Sequence, residues 1–315
     1  MHGFFRDGIC DLYLVVVEYR VVKFIFKCNG GIFMKATDLY NQLERDFISK
    51  DLKDNWAKYM HELEEYLSSN FKERSMGLVC DFTNEISKVY SAVFPTKEIL
   101  QTIINDDATD AMLFLHHPSI WDIRRLKPFY QMDKELLEKF KENRISIYNL
   151  HVPLDNFSEY STSKTLADVL DIEIEKPFKE YCGALSGVIG KTKCKSIEEL
   201  HDKFSKVLGH DTSLYLYGDS DIKDGRIAIV AGGGNNIDTV FEMIENKVNV
   251  LITGISVNNE NYSEVHELEQ KNCINVLGGT HYSTEKFACQ KMCTYFEKLG
   301  LVSAFIEGEP VYEDM

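Results

Sequence analysis

The sequence predicts an α/β fold, with mostly parallel or mixed sheets flanked by helices and two similar α/β domains. Two observations carry this expectation. Short apolar runs alternate with amphipathic stretches of helical period along most of the 315 residues, which is the pattern of βαβ units. The same strand–turn–helix–strand rhythm then recurs in the second half as a pattern rather than as a sequence repeat. Such units cover both faces of a sheet with helices, so their strands read as nearly continuous apolar runs.

Taken in order, residues 1–33 read as an extension without a role in the fold. Arg6, Asp7, Asp11, Glu18, Arg20 and Lys23 interrupt their apolar character. They lack the basic start and clean apolar core of a secretory signal. Met34 opens "MKATDLYNQLERDF", a better amino terminus, with Thr37 as helix cap and apolar spacing through Leu39, Leu43 and Phe47. The alternative for the upstream piece is an added edge strand at Tyr13–Val17.

The first domain, 34–180, is expected to hold helical stretches Thr37–Phe47 and Leu52–Leu67, then a break over Asn70–Phe82. A strand at Lys88–Phe94, a helix capped by Thr96 and the apolar run Met112–Leu115 follow. Helix Asp133–Lys141 and strand Ile145–Leu150 come next. The second domain, 181–315, is expected to hold strand Arg226–Ala231, a Gly turn, helix Ile237–Glu245 and strand Val248–Thr253. A helix around Tyr262–Gln270, strand Cys273–Leu277 and a last helix complete it. No low-complexity linker marks the boundary near Tyr181.

Composition narrows the function. The formal net charge is −15, which argues against a nucleic-acid surface built on clustered Lys and Arg. No stretch approaches the roughly 18 apolar residues of a membrane span. Eight cysteines are dispersed without a CxxC pair, so neither a zinc ribbon nor a thioredoxin-like motif is offered. Cys289 and Cys293 lie four apart on a helix, where core packing is the simpler role. Thiols in such a chain point to a reducing, cytoplasmic setting.

Three groups of candidate ligands fall at predicted strand ends, where ligands bind in open α/β sheets. His116 and His117 follow Met112–Leu115, His151 and Asp155 follow Ile145–Leu150, and His281 and Glu285 follow Cys273–Leu277. Adjacent side chains on a strand diverge; at a strand end stiffened by Pro118, two histidines diverge only partly. Each then serves a different ion of one cluster, which a mononuclear site seldom requires. His281 and Glu285, four apart in a helix, share a face. Mixed imidazole and carboxylate ligands suit Zn, Mn or Fe. Two such ions about 3.5–4 Å apart make a nucleophile from water at neutral pH. Singly, each histidine is satisfied by a hydrogen-bonded structural role; it is their coincidence that points to metal. "GVIGKT" (187–192) lacks the first glycine of a P-loop, where Leu185 stands, and reads as strand and turn. "AGGGNN" (231–236) can cradle an anion at a helix start, but a tight turn needing positive φ explains it more simply.

The blocks "LFLHHPSIW", "YNLHVPLDN" and "GGTHYSTEKFA", in that order, resemble signatures of the Nif-three-like dinuclear metal-binding family, whose members also carry the label GTP cyclohydrolase I type 2 homologue. "MGLVCDF", "AVFPTKEILQTII" and "RIAIVAGGGNNIDTVFEMIENKVNVLITG" extend the likeness from about Met34 to the C-terminus. The resemblance implies metal ligands at His116, His117, Asp155, His281 and Glu285, with Glu285 bridging and His151 nearby as orienter or proton carrier. It also implies a two-metal site in the cleft between the domains and a toroidal homohexamer, a trimer of dimers. The chain departs from the family at Arg74-Ser75-Met76, at Phe94, and at Ile255-Ser256-Val257-Asn258-Asn259 after Gly254, with His266 as a candidate replacement. These departures bear on the substrate pocket rather than on the ligands.

The expected function is metal-dependent hydrolysis of a nucleotide-like or other small anionic substrate, with a non-catalytic metal-binding scaffold or regulatory oligomer as the alternative. If translation begins at Met34, the intact mass of native protein will correspond to a chain starting there; a mass that includes Met1 overturns that start.

Overall fold

The computed structural model describes residues 11–15, 23–28 and 31–315. Strands β1 (Asp11–Val15), β2 (Lys23–Cys28) and β3 (Gly31–Lys35) run antiparallel, and α1 (Ala36–Phe47) follows directly. Two short 3₁₀ turns, Trp56–Tyr59 and His61–Leu63, lead to α2 (Ser69–Arg74), β4 (Gly77–Cys80), β5 (Glu85–Ile86), β6 (Lys88–Ala92), α3 (Lys97–Asn105) and β7 (Ala111–Leu115). A small hairpin, β8 (Ile120–Trp121) with β9 (Phe129–Tyr130), precedes α4 (Lys134–Glu142), β10 (Ile145–Asn149), α5 (Val152–Asp155) and α6 (Thr162–Val169). The hairpin β11 (Glu173–Tyr181)–β12 (Ala184–Lys191) comes next, then α7 (Ile197–Leu208), β13 (Ser213–Tyr215), β14 (Arg226–Val230) and α8 (Ile237–Asn246). β15 (Val250–Thr253), α9 (Ser263–Lys271), β16 (Asn275–Gly278), α10 (His281–Lys298) and β17 (Val302–Phe305) close the chain.

Two mixed sheets dominate, as expected. The first has the order β17-β6-β7-β10-β4, parallel except for β4. The second has the order β11-β12-β14-β15-β16-β13, with β14, β15 and β16 parallel. Alternation explains why the central strands are apolar throughout. On β7, Met112 and Phe114 face α1 and α10, while Leu113 and Leu115 face α3 and α4. On β14, Ile227 and Ile229 pack with α7, whereas Ala228 and Val230 pack with α8. Helix α10 lies between the sheets: Ala288, Met292 and Phe296 join the core of the first, and Phe287 packs against the core of the second.

The chain crosses between sheets more than local patterning suggests. β11 ends at the expected 180/181 division yet pairs in the second sheet, and β17 returns from the C-terminal end to edge the first. Of residues 1–33, those in β1, β2 and the start of β3 form antiparallel strands, and the remainder lies outside the described residues. Of the alternative edge strand Tyr13–Val17, residues 16 and 17 also lie outside them.

Two local expectations are corrected. Thr37 does not cap α1; the helix starts at Ala36, and Lys35 occupies the cap position because β3 runs straight into the helix. Residues 52–67 form short turns instead of a helix. The Lys53 amide donates to Cys182 O (3.0 Å) and the Ala57 amide to Ser75 Oγ (2.9 Å), so tertiary partners take donors that a helix needs. Thr96 does cap α3, accepting from the Ile99 amide.

Phe296 is fully buried and packs edge-on against Phe114 at 5.5 Å, joining α10 to the first sheet. Phe296→Ala should destabilise the protein by about 3–5 kcal/mol, read as a lower urea midpoint at unchanged slope.

Candidate metal centre

The first sheet supplies one wall of the site. The ladder between β6 and β7 continues past the strand ends, because the His116 and His117 amides donate to Ala92 O (3.3 Å) and Val93 O (2.9 Å). The Asn149 side-chain amide also donates to His116 O. The two imidazoles are thereby held together, ring centres 4.3 Å apart and planes 69° apart. His116 Nδ1 lies 3.0 Å from Leu150 O, a carbonyl that can only accept, so the proton sits on Nδ1. Nε2 is then the atom turned into the cluster, 3.5 Å from both Asp155 Oδ1 and Glu285 Oε1, and would offer its lone pair to a cation in place of a proton. It is buried and has no hydrogen-bond partner. His117 Nε2 lies 3.0 Å from Glu285 Oε2, and Phe94 stacks on its ring at 4.7 Å.

His151 occupies the position before α5, with Pro153 in the first turn, and Asp155 closes that short helix. The Thr162 hydroxyl donates to Asp155 Oδ1 at 2.7 Å. His151 Nε2 lies 3.9 Å from Asp155 Oδ2. Its Nδ1 is 2.9 Å from Asp54 Oδ2 and 2.9 Å from the Trp56 indole nitrogen. A protonated Nδ1 donates to Asp54, and a bare Nδ1 accepts from Trp56. The imidazole is therefore supported with or without that proton.

The third group sits at the head of α10. Thr280 caps the helix by accepting from the Ser283 amide, and Asp314 Oδ2 accepts from the His281 amide at 2.9 Å. A carboxylate at a helix N-terminus suits the macrodipole. His281 and Glu285 share a helix face as the i,i+4 spacing predicts, with His281 Nε2 3.2 Å from Glu285 Oε1.

The Gly turn after β14 completes the enclosure. Gly232 has φ +67°, and a Cβ there would lie 2.0 Å from Glu285 Oε1. Its amide donates to Thr284 Oγ1 (3.0 Å), and its carbonyl accepts from the Gly254 and Ile255 amides. The turn needs glycine for its backbone, as expected, and again for the carboxylate it faces.

Electrostatics follow from burial. Burial works against charge on His116, but Glu285 and then Asp155 outweigh it and raise its pKa to about 9. Burial together with its cationic neighbours pushes His117 well down, against the pull of Glu285. Burial opposes ionisation of Glu285, yet His281, His117 and His116 hold the carboxyl well below its usual range. Burial raises Asp155 despite His116 and His151.

All six predicted residues converge. Their ligand atoms form three overlapping sets, each within 4.8 Å: His116, His117 and His151; His117, His281 and Glu285; His116, Asp155 and Glu285. An unpartnered buried imidazole nitrogen, with carboxylate oxygens just beyond hydrogen-bond reach, fits a cation that members of these sets could hold. His266 does not join them; its Nε2 meets Ser256 O and its Nδ1 the Tyr217 hydroxyl. Asp54, Trp56, Gly232 and Asp314 are additions to the sequence reading. Of these only Gly232 lies in a recognisable motif, the AGGGNN turn. A cleft of about 460 Å³ opens onto the cluster, with Trp56, Tyr59, Trp121, Phe129, Tyr181 and Tyr262 among its walls.

Fold and site define an α/β protein built mainly on two mixed sheets, with a buried imidazole–carboxylate cluster that could hold metal. The chain belongs to the Duf34/NIF3 (NGG1p interacting factor 3) family, whose model matches residues 55–309. Similar curated proteins include those of Pyrococcus horikoshii, 29% identical over 256 residues (78% of this chain, 95% of the relative), and Pyrococcus abyssi, 28% identical over 253 residues (78% and 95%). Both are named GTP cyclohydrolase 1 type 2 homolog. Among solved structures, protein ybgI, of unknown function, superposes with a TM-score of 0.69 at 18% identity, covering 88% of this chain and 100% of that one. Reduced HcgD from Methanocaldococcus jannaschii gives 0.63 at 22% identity, with 88% and 100% coverage. These likenesses show a common fold.

Gly232→Ala should displace Glu285, since neither the positive φ nor the 2.0 Å approach tolerates a methyl group. A fall in metal content of at least tenfold at limiting metal, with a lower melting temperature, is the expected result by elemental analysis and calorimetry.

Proposed function

We propose that this chain is a dinuclear-metal hydrolase acting on a small anionic, nucleotide-like substrate. The observation that carries this is Glu285, the one carboxylate common to two of the candidate ligand sets, one with His117 and His281, the other with His116 and Asp155. A carboxylate with two oxygens can serve both. The donor set suits Zn, Mn or Fe. Bound divalent ions supply Lewis acidity, which acidifies water and neutralises charge developing on the substrate.

The chain's own residues do the rest. His116 Nδ1 is engaged by Leu150 O, which fixes the ring and leaves Nε2 as the ligand atom. His151 carries the proton, exchanging its Nδ1 partner between Asp54 and Trp56. The aromatic walls exclude water and receive the substrate's ring. Ring hydrolysis of a purine nucleotide, the chemistry in the names of the Pyrococcus relatives, is the specific reaction to test first. The family resemblance extends the reading to a cytoplasmic homohexamer. Among the described residues, no helix is long and apolar enough to cross a membrane.

A structural metal scaffold is favoured by one observation, the near-complete burial of His116, His117 and Glu285. Against it stands the cleft, which reaches His117, His151, Asp155, His281 and Glu285.

Glu285→Gln should lower metal occupancy below two ions per chain, counted by elemental analysis and by anomalous scattering from crystals; full retention of both ions removes the bridging role. His151→Ala should keep the metal and reduce kcat by about 10²–10⁴-fold in a chelator-sensitive nucleotide hydrolysis assay. Turnover unchanged after complete metal removal defeats the catalytic reading.

A further inference from the structure

Lys179 is the only lysine or arginine lining the cleft among the described residues. Its residue exposure is 6%. The ammonium makes no hydrogen bond among the described residues, and the nearest carboxylate, Asp238 Oδ2, is 4.0 Å away on a side chain that is 83% exposed. An ion pair of that length with a solvated partner contributes little. The side chain is thus largely packed away while its ammonium, without a hydrogen-bonded partner, is left to take an anion from the cleft.

The backbone is shaped to present it. Lys179 has φ +63° towards the end of β11, a left-handed conformation that costs a β-strand residue about 1–2 kcal/mol. The pairing on either side stays in register, Phe178 with Gly187 and Glu180 with Leu185. What holds the distortion is Glu242 on α8, whose two carboxylate oxygens accept from the Lys179 amide (2.8 Å) and the Glu180 amide (3.3 Å). Beside Lys179 in the cleft lie Gly233, Gly234 and Asn236, at the N-terminus of α8, where backbone dipoles favour negative charge. Trp56, Trp121, Tyr181 and Tyr262 also border the space.

We propose that Lys179, positioned by Glu242, is the anion-recognition residue of this cleft, seating the phosphate of a substrate whose planar ring lies among the aromatic walls. This deepens the hydrolase reading and rests on it for the reacting end of the substrate. Lys179 sets specificity, and Glu242 acts through it. Asp238 competes with the ligand for the ammonium.

The chain has two tryptophans, Trp56 and Trp121, and both line the cleft, so intrinsic fluorescence reports on it directly. Phenylphosphonate, a planar ring bearing a stable dianion, is titrated into metal-loaded full-length protein beside phenol, the same ring without the dianion. Phenylphosphonate should bind at least tenfold tighter than phenol. Lys179→Met should erase that difference, Lys179→Arg should retain most of it, Glu242→Gln should weaken binding severalfold, and Asp238→Asn, at an exposed site, should tighten it. Metal content should be the same in all. Equal binding of the two probes, no binding of phenylphosphonate, or wild-type affinity in Lys179→Met overturns the assignment. The titration is repeated on chelator-stripped protein. Lys179-dependent binding in a chain that takes up no metal on reloading defeats the hydrolase reading alone; normal metal uptake with an unaffected Lys179→Met defeats the Lys179 assignment alone.

Discussion

The structure turns on one buried carboxylate. Glu285 is 3% exposed and faces His116, His117 and His281 at 3.0–3.5 Å. An ionised carboxylate in such a place is prohibitive unless compensated. The imidazoles provide compensation, and they come from two distant parts of the chain, the end of β7 and the head of α10. Asp155 adds a second carboxylate 3.5 Å from His116. Two carboxylates demand positive charge, and in the bare protein a proton on His116 meets part of that demand, which is why its pKa rises to about 9 despite burial. A divalent cation meets the same demand with more charge and a better match to nitrogen and oxygen lone pairs.

Placing Glu285 there dictates the architecture around it. α10 must begin where the C-terminal ends of the two sheets meet and then run along the first sheet. It accordingly buries residues round most of its circumference near the start, His281 through Glu285, and on one side further along, through Ala288, Met292 and Phe296. Its first turn is fixed by Thr280, by Asp314 and by the Gly232 turn of the second sheet. Trp121 donates to the other oxygen of Asp314 at 2.9 Å, and the Ser256 and Val257 amides bond to the Asp314 carbonyl, so the end of the chain locks the helix start in place.

These dependencies explain what could be read from the sequence. Strands buried on both faces, such as β7, β10 and β14, announce themselves as apolar runs, and the ligands at their ends are legible because side-chain chemistry changes abruptly there. Thr96, followed by a periodic helix, is legible as a cap. The remainder depends on contacts remote in sequence. β17 is a short, half-exposed strand that finds β6 across the whole domain. Residues 52–67 have helical spacing, but their amides go to Cys182 and Ser75. Asp54 and Trp56 touch His151 from 97 and 95 residues away, and nothing local distinguishes them. Gly232 was legible as a turn glycine, but its closeness to Glu285 was not. His266 looked available and is instead held by Tyr217 and Ser256.

With a net charge of −15, the chain must overcome its own field locally to take the anionic substrate proposed for it. Charges more than about 8–10 Å away in salt solution are largely screened, so the dispersed surface acids weigh little against groups inside a sheltered cleft. What matters there is the balance at the lining itself. Without a cation, the lining carries Asp54, Asp155 and Glu285 against Lys179, an environment that repels anions at the cluster end. Divalent cations held there would reverse that sign at the cluster, with Lys179 as a further positive point in the lining. On the proposed reading, metal loading and anion affinity would be coupled through charge, and anion binding would strengthen once the cluster has turned positive.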